Sequence, residues 1–278
     1  MSSVDLSEHR KNFLRYTERF NEIPEAAPLR LKVEHTFRVL EHACRIVEHL
    51  PQEVSVPREI LQDEEAGRAA VLAALYHDCG RFPQFSRYRT FLDARSVNHA
   101  VLSFKVMRDE DFLRQESRRV RALAQCAVLL HNRHILPPLL ERDARFAVDV
   151  VRDADKLDIF RIMAGYLTQA LPEKDAVLLH VKDEPDRWSK EIEAAVLTGR
   201  VPGYAELRFV NDFRLLLGTW MGELRFEVTR RALAESGLME IVLEPLNKLP
   251  GLHTATKLLY RQLEACRSPR AGSTGGGQ

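Results

Sequence analysis

The sequence has few cysteines, no long apolar run and no excess of charge of either sign, and each shortage removes a class of protein. Its four cysteines, Cys44, Cys79, Cys126 and Cys266, stand far apart with no CxxC pair. That spacing excludes a zinc ribbon or a small disulfide scaffold and fits reduced structural thiols. The longest strongly apolar run, Ala69 to Tyr76, falls far short of the ~20 residues needed to cross a bilayer. The polar opening MSSVDLSEHRKNF lacks the basic and apolar regions of a signal peptide. A soluble cytoplasmic protein with no membrane partner is expected. With 41 Lys and Arg against 40 Asp and Glu, the net charge is +1, so no global field gathers DNA or RNA and any anion site must be local. No internal repeat and no convincing strand pair is visible.

What remains is ordinary globular material: 278 residues, 45% hydrophobic and 29% charged, enough to bury a large core. Apolar residues recur at steps of three and four, as in Leu31, Val33, Phe37, Leu40, Ile46, Val47 and Leu50, the spacing of one helical face. The same period predicts helices over roughly 5–20, 30–50, 66–79, 96–109, 116–131, 143–168, 188–198, 204–217, 219–236, 239–248 and 253–266. The fold class is therefore all-α, read as a single domain over 1–266 with a core at about 30–165 and a helical extension at about 188–266. A softer break at about 171–187 carries proline and charge clusters. The last residues, RSPRAGSTGGGQ at 267–278, cannot bury apolar surface and are expected to be disordered.

Punctuation sharpens some of these ends. Gly80 and Pro83 close the apolar helix before them, Pro137 and Pro138 follow the helix ending near His131, and Ser96 can cap the next one. The aromatic and basic stretch from Arg81 to Arg95 has no strong period and is expected to be a long functional loop or an aromatic wedge packed on the core. Its aromatics Phe82, Phe85, Tyr88 and Phe91 then serve packing.

Ten histidines lie in the chain, and five places set imidazole or carboxylate in apolar helical context: His35, His77-Asp78, His99, His131 and Asp155. On its own a His-Asp dipeptide is a chance event in a chain of this size. Here an apolar helix of small and branched residues delivers His77 and Asp78 at its end, ahead of Gly80 and Arg81. Two kinds of metal ligand thus project from one rigid platform.

The ordered series His35, His77-Asp78, His99, His131 and Asp155, with HTFRV and RDADKLD around its ends, resembles the HD-domain superfamily of metal-dependent phosphohydrolases. The pattern HDCGRF, then FLDARSVNHA, then HN, then RDADKLD looks most like a bacterial branch of HD proteins of uncharacterised activity. The resemblance covers about 30–165. It implies that His35, His77, Asp78 and Asp155 hold one divalent metal, that His99 and His131 build a second site, and that Asp78 bridges. One ion or two of Mn, Fe, Co, Ni, Zn or Mg suits such a shell. It further implies hydrolysis of a nucleotide or other small phosphate ester through metal-activated water.

Arg81, Lys156 and Arg38 are the candidate catalytic cations, Arg81 first, each with the alternative of an ion pair to a ligand carboxylate. Asp153 and Asp158 are better placed to orient a ligand imidazole than to bind metal. His42 and His49 follow His35 at steps of seven, each about 10 Å of rise, too far to share its metal. His134, three after His131, could add a contact. Two rival functions stay open: a dinuclear iron oxygenase on a similar ligand set, and a non-catalytic nucleotide sensor.

Overall fold

The computed structural model describes residues 5–23, 27–53, 56–168 and 181–267, and among them the chain is all-α, with one isolated bridge between Lys182 and Phe209. It divides into two compact units, residues 1–158 and 159–278. This division differs from the single domain with an extension from about 188, and it falls inside a long helix, where no proline or composition change marks it. The softer break lies largely outside the described residues, as does the expected tail except for Arg267, which ends the last helix.

Residues 1–158 contain α1 (Ser7–Glu18), α2 (Ala27–His49), α3 (Arg58–Leu61), α4 (Glu64–Tyr76), α5 (Arg81–Tyr88), α6 (His99–Asp109), α7 (Arg118–Leu130) and the start of α8 (Arg142–Thr168). The centre is α4, which packs on α1, α2 and α7. Asp63 caps it by accepting from Ala66 N (3.0 Å), and Glu64 and Glu65 complement the helix dipole in the first turn. From Ala69 to Tyr76 every side chain is buried; alanines at 69, 70, 73 and 74 let neighbours close in on all sides. Tyr76 stacks on Phe112 at 4.5 Å, and Phe13 meets Tyr76, Phe37 and Phe82 edge to face. Each such ring contributes about 1.5–3 kcal/mol by leaving water.

The stretch from 81 to 95 is not a loop throughout. Arg81–Tyr88 is α5 and Asp93–Arg95 is a single 3-10 turn. Pro83 ends α4's continuation but sits in the first turn of α5, where its missing N–H costs nothing. Phe82 packs beneath α1 against Phe13, Tyr16 and Phe20. Asn98, not Ser96, caps α6, accepting from Val101 N at 3.0 Å. Ser96 instead donates to Leu92 O (2.8 Å) and accepts from Gln84.

Residues 159–278 contain α9 (Lys190–Leu197), α10 (Val210–Thr219), α11 (Glu227–Glu235), α12 (Leu238–Leu243) and α13 (His253–Arg267). Trp220, Phe226 and Leu233 are buried and Leu238 half-buried, and they serve the packing of these helices. The fully buried Asp212 accepts from Ser189 N and Oγ (both 2.7 Å), Arg208 N (2.9 Å) and Phe209 N (3.0 Å), tying the start of α9 to the start of α10. Asp212→Ala strands four donors and is expected to cost about 2–3 kcal/mol. Urea unfolding followed by circular dichroism reads that loss, and an unchanged midpoint would refute this anchoring role.

Candidate metal centre

The centre is assembled from helix ends. α2 carries His35 at its middle, the C-terminal cap of α4 is His77 with Asp78 next, α6 begins at His99, α7 is capped by His131, and α8 presents Asp155. α1 pins the backbone beyond the His-Asp pair, because Tyr16 donates its hydroxyl to Cys79 O at 3.0 Å. Gly80 lets α6 approach that backbone, and its N–H donates to Ser103 Oγ at 2.9 Å.

All four imidazoles are held in the same way. His35 Nδ1 lies 2.7 Å from Asp158 Oδ2, His77 Nδ1 2.8 Å from Ala74 O, His99 Nδ1 2.7 Å from Asp93 Oδ2, and His131 Nδ1 2.7 Å from Val128 O. Each acceptor calls for a proton on Nδ1, which leaves a bare lone pair on every Nε2. Those four Nε2 atoms converge. His35 Nε2 and His77 Nε2 are buried without hydrogen-bond partners. His99 Nε2 and His131 Nε2 face each other at 3.1 Å, lone pair to lone pair. Buried acceptors in that arrangement need a cation to satisfy them, so the donor set fits a divalent metal.

Two groups of three can each hold an ion: His35 with His77 and Asp155, and Asp78 with His99 and His131. Asp78 stands between them. Its Oδ2 is 3.7 Å from both His35 Nε2 and His77 Nε2, while its Oδ1 is 3.6 Å from His99 Nε2. Asp155 Oδ1 lies 3.2 Å from His35 Nε2 and 3.8 Å from His77 Nε2.

Electrostatics favour the ligand forms of His77, His131, Asp78 and Asp155. Burial, aided by His99 and His77, pushes His131 down to about 3, and burial also lowers His77. Burial raises the Asp78 carboxyl, but the charges of Lys32 and Arg81 outweigh it and hold it well below the usual range. Asp155 is lowered likewise, the neighbouring imidazoles of His35 and His77 overcoming burial. His35 moves up, because Asp155 and Asp158 outweigh burial and Lys32.

The structure brings together all six residues of the predicted ligand set, and it sorts the cations. Arg38 donates Nε to Asp158 Oδ1 at 2.6 Å, so it acts on His35 through Asp158. Arg81 reaches Asp78 Oδ1 (3.3 Å), Phe91 O (2.6 Å), Gln84 Oε1 (3.0 Å) and Asp93 Oδ1 (3.1 Å), fixing the 91–93 turn against the pair. Lys156 is half-buried on α8 beside Asp155. Asp158 orients His35 as its position suggested, and Asp153 is buried on the same helix. His134 is exposed, and neither His134, His42 nor His49 belongs to either ligand group.

Two residues were missed. Lys32 donates to Asp78 Oδ2 at 2.7 Å and lies over the Phe91 ring; its place one turn before His35 on α2 is the signal that could have found it. Asp93 orients His99, and burial of its carboxyl is outweighed by that bond and by Arg81, holding it at about 2. Its signal is the acidic residue within FLDARSVNHA.

Residues 33–159 match the family model of the HD domain, whose superfamily is one of metal-dependent phosphohydrolases. No curated protein and no solved structure matches the chain significantly. Among the described residues no helix is long and apolar enough to cross a membrane.

Proposed function

We propose that this HD-domain protein is a metal-dependent phosphohydrolase acting on a nucleotide or another small phosphate ester. The observation that carries the reading is the convergence of four bare Nε2 atoms on Asp78 inside the HD domain. In this reading His35, His77 and Asp155 would hold one divalent ion and His99 and His131 a second, with Asp78 available to both. The bound cations supply an acidified water and neutralise charge on the phosphoryl oxygens.

The chain's own side chains do the positioning. Asp158 and Asp93 keep His35 and His99 in the Nδ1–H form with Nε2 inward, and Arg38 is a positioning residue that fixes Asp158. Of the two cations on Asp78, Lys32 is the more exposed, with 21% of its side chain open against 15% for Arg81. Its single ammonium can turn to a phosphate oxygen, whereas Arg81 is anchored by four acceptors. Lys156 adds positive charge beside Asp155.

The test is elemental analysis of protein purified without chelator or affinity nickel, followed by an anaerobic screen of nucleotides and phosphate esters with Mn or Co. About two equivalents of metal per chain and oxygen-independent phosphate release are expected. Turnover that requires iron and O₂ would replace this reading with an oxygenase. Saturable nucleotide binding without turnover in any metal would replace it with a sensor.

A further inference from the structure

The HD domain has a second concavity whose chemistry the metal centre does not use. It lies where α6 ends and α7 begins, with a volume of about 380 Å³, within the range of small-molecule sites. Leu113 and Met107 are buried in its wall, and Arg108, Arg118, Arg121 and Gln125 line it. Arg118, Arg121 and Gln125 are spaced i, i+3 and i+7 on α7, so they share one helix face.

Several other arginines of this unit are neutralised by carboxylates. Arg19, Arg38, Arg68 and Arg81 each pair with a carboxylate. Arg119, flanked by the cavity arginines, reaches Asp63 (2.8 Å), Glu65 (3.3 Å) and Asp143 (2.9 Å) on another face of α7. Among the described residues, Arg108, Arg118 and Arg121 have no ion pair; Arg108 contacts only the Phe104 ring in a charged interaction. Asp111 is the single carboxylate in a lining that holds three arginines. The N-terminal end of α7 adds partial positive charge to the same wall. A chain with a net charge of only +1 thus concentrates uncompensated guanidinium in one cavity, and fork-shaped donors of this kind match phosphate oxygens.

We propose that this cavity is a second binding site, for an anion carrying several phosphate groups. It is separate from the metal centre. Arg108 is nine residues along α6 from His99 and Arg121 ten residues along α7 from His131, or about 13 and 15 Å of helix rise. α6 and α7 are antiparallel, since His99 at the start of one meets His131 at the end of the other. A phosphate chain joining Arg108 to Arg118 and Arg121 therefore bridges the opposite end of the same helix pair.

The experiment is isothermal titration of the full chain in excess EDTA, with sodium tripolyphosphate in one arm and ATP in the other. One site per chain is expected, weakened about tenfold or more in the double variant Arg118→Gln/Arg121→Gln by loss of charge-assisted bonds. The double variant should melt like the parent and keep its metal, because neither arginine is buried in the core. Stronger binding of ATP identifies a nucleotide as the ligand, and equal binding identifies the phosphate chain itself. No heat in either arm, or binding unchanged in the double variant, overturns the proposal. So does a single-stranded oligonucleotide that binds through the same arginines more tightly than tripolyphosphate, which would make the cavity a nucleic-acid contact. With metal stripped in every arm, the result does not depend on the hydrolase reading.

Discussion

Asp78→Asn is expected to remove bound metal and hydrolytic activity together, lowering kcat/KM on a phosphate ester by about a thousandfold or more. Partners that merely orient a ligand are worth about 10–100-fold, and Asp78 does more than orient. Its two oxygens face different imidazole groups, at 3.7 Å on one side and 3.6 Å on the other, so one substitution weakens both halves of the centre. The asparagine is nearly isosteric but brings N–H donors toward bare Nε2 atoms only at one position and cannot supply negative charge. It also leaves Lys32 and Arg81 facing each other across a neutral amide, two like charges without the carboxylate that Lys32 approaches to 2.7 Å and Arg81 to 3.3 Å. The variant is compared with His42→Ala, which belongs to neither ligand group and should keep metal and turnover. Elemental analysis and steady-state rates, with circular dichroism to verify folding, give the readout. A folded Asp78→Asn protein with full metal content and full activity would remove Asp78 from the centre and with it the two-group arrangement.

The clustering of His35, His77, Asp78, His99, His131 and Asp155 was legible because each sits at a place the sequence marks. His77 and Asp78 follow an uninterrupted apolar run, and Asp155 lies in a helix whose period runs from about 143 to 168 and is realised as Arg142–Thr168. Long amphipathic helices announce themselves, and the HD resemblance ordered the residues along them. The supporting shell was harder to read, since it depends on which side chains meet across elements. Arg38 belongs to Asp158, 120 residues away, and Lys32 to Asp78, 46 residues away. Neither pairing leaves a local trace beyond a position on one helix face.

The turn from 81 to 95 misled for a different reason. Its eight-residue helix is too short to establish a period, and Pro83 looks like a breaker although it occupies a first turn. Once α5 forms, Gln84 becomes a fully buried hub that donates to Asp93, Ser96 and Val97 O. That hub holds the turn bearing Asp93 against His99. The sequence also suggests a boundary at proline and charge clusters, whereas the compact units part within a continuous helix at 158 and 159. Compactness follows contacts made in space, and a helix can end one core and enter another without any change in composition.

Gly80→Val should lower both stability and metal content, and the reason corrects the role its position suggests. Gly80 is not a left-handed helix stop: its φ is −68°, open to any residue, and it caps the start of α5. What excludes a side chain is proximity. A Cβ at this position would lie 2.4 Å from Ser103 N, 2.7 Å from His99 O and 2.8 Å from the Leu102 carbonyl carbon. All three are backbone atoms of α6, which no rotamer change can move aside. Relief requires α6 to retreat as a body, breaking the Gly80 N–H bond to Ser103 Oγ and carrying His99 away from Asp78 and His131. Overpacking of this kind costs about 2–3 kcal/mol, equivalent to a fall in melting temperature on the order of 5–10 °C. The linked prediction is chemical. The group of Asp78, His99 and His131 should lose metal while His35, His77 and Asp155 keep theirs, so stoichiometry should fall toward one ion per chain. Gly80→Ala, which adds the Cβ alone, should lie between parent and Gly80→Val in both readouts. If Gly80→Ala melts with the parent and retains its metal, α6 tolerates the displacement, and close approach at Gly80 is not what seats His99.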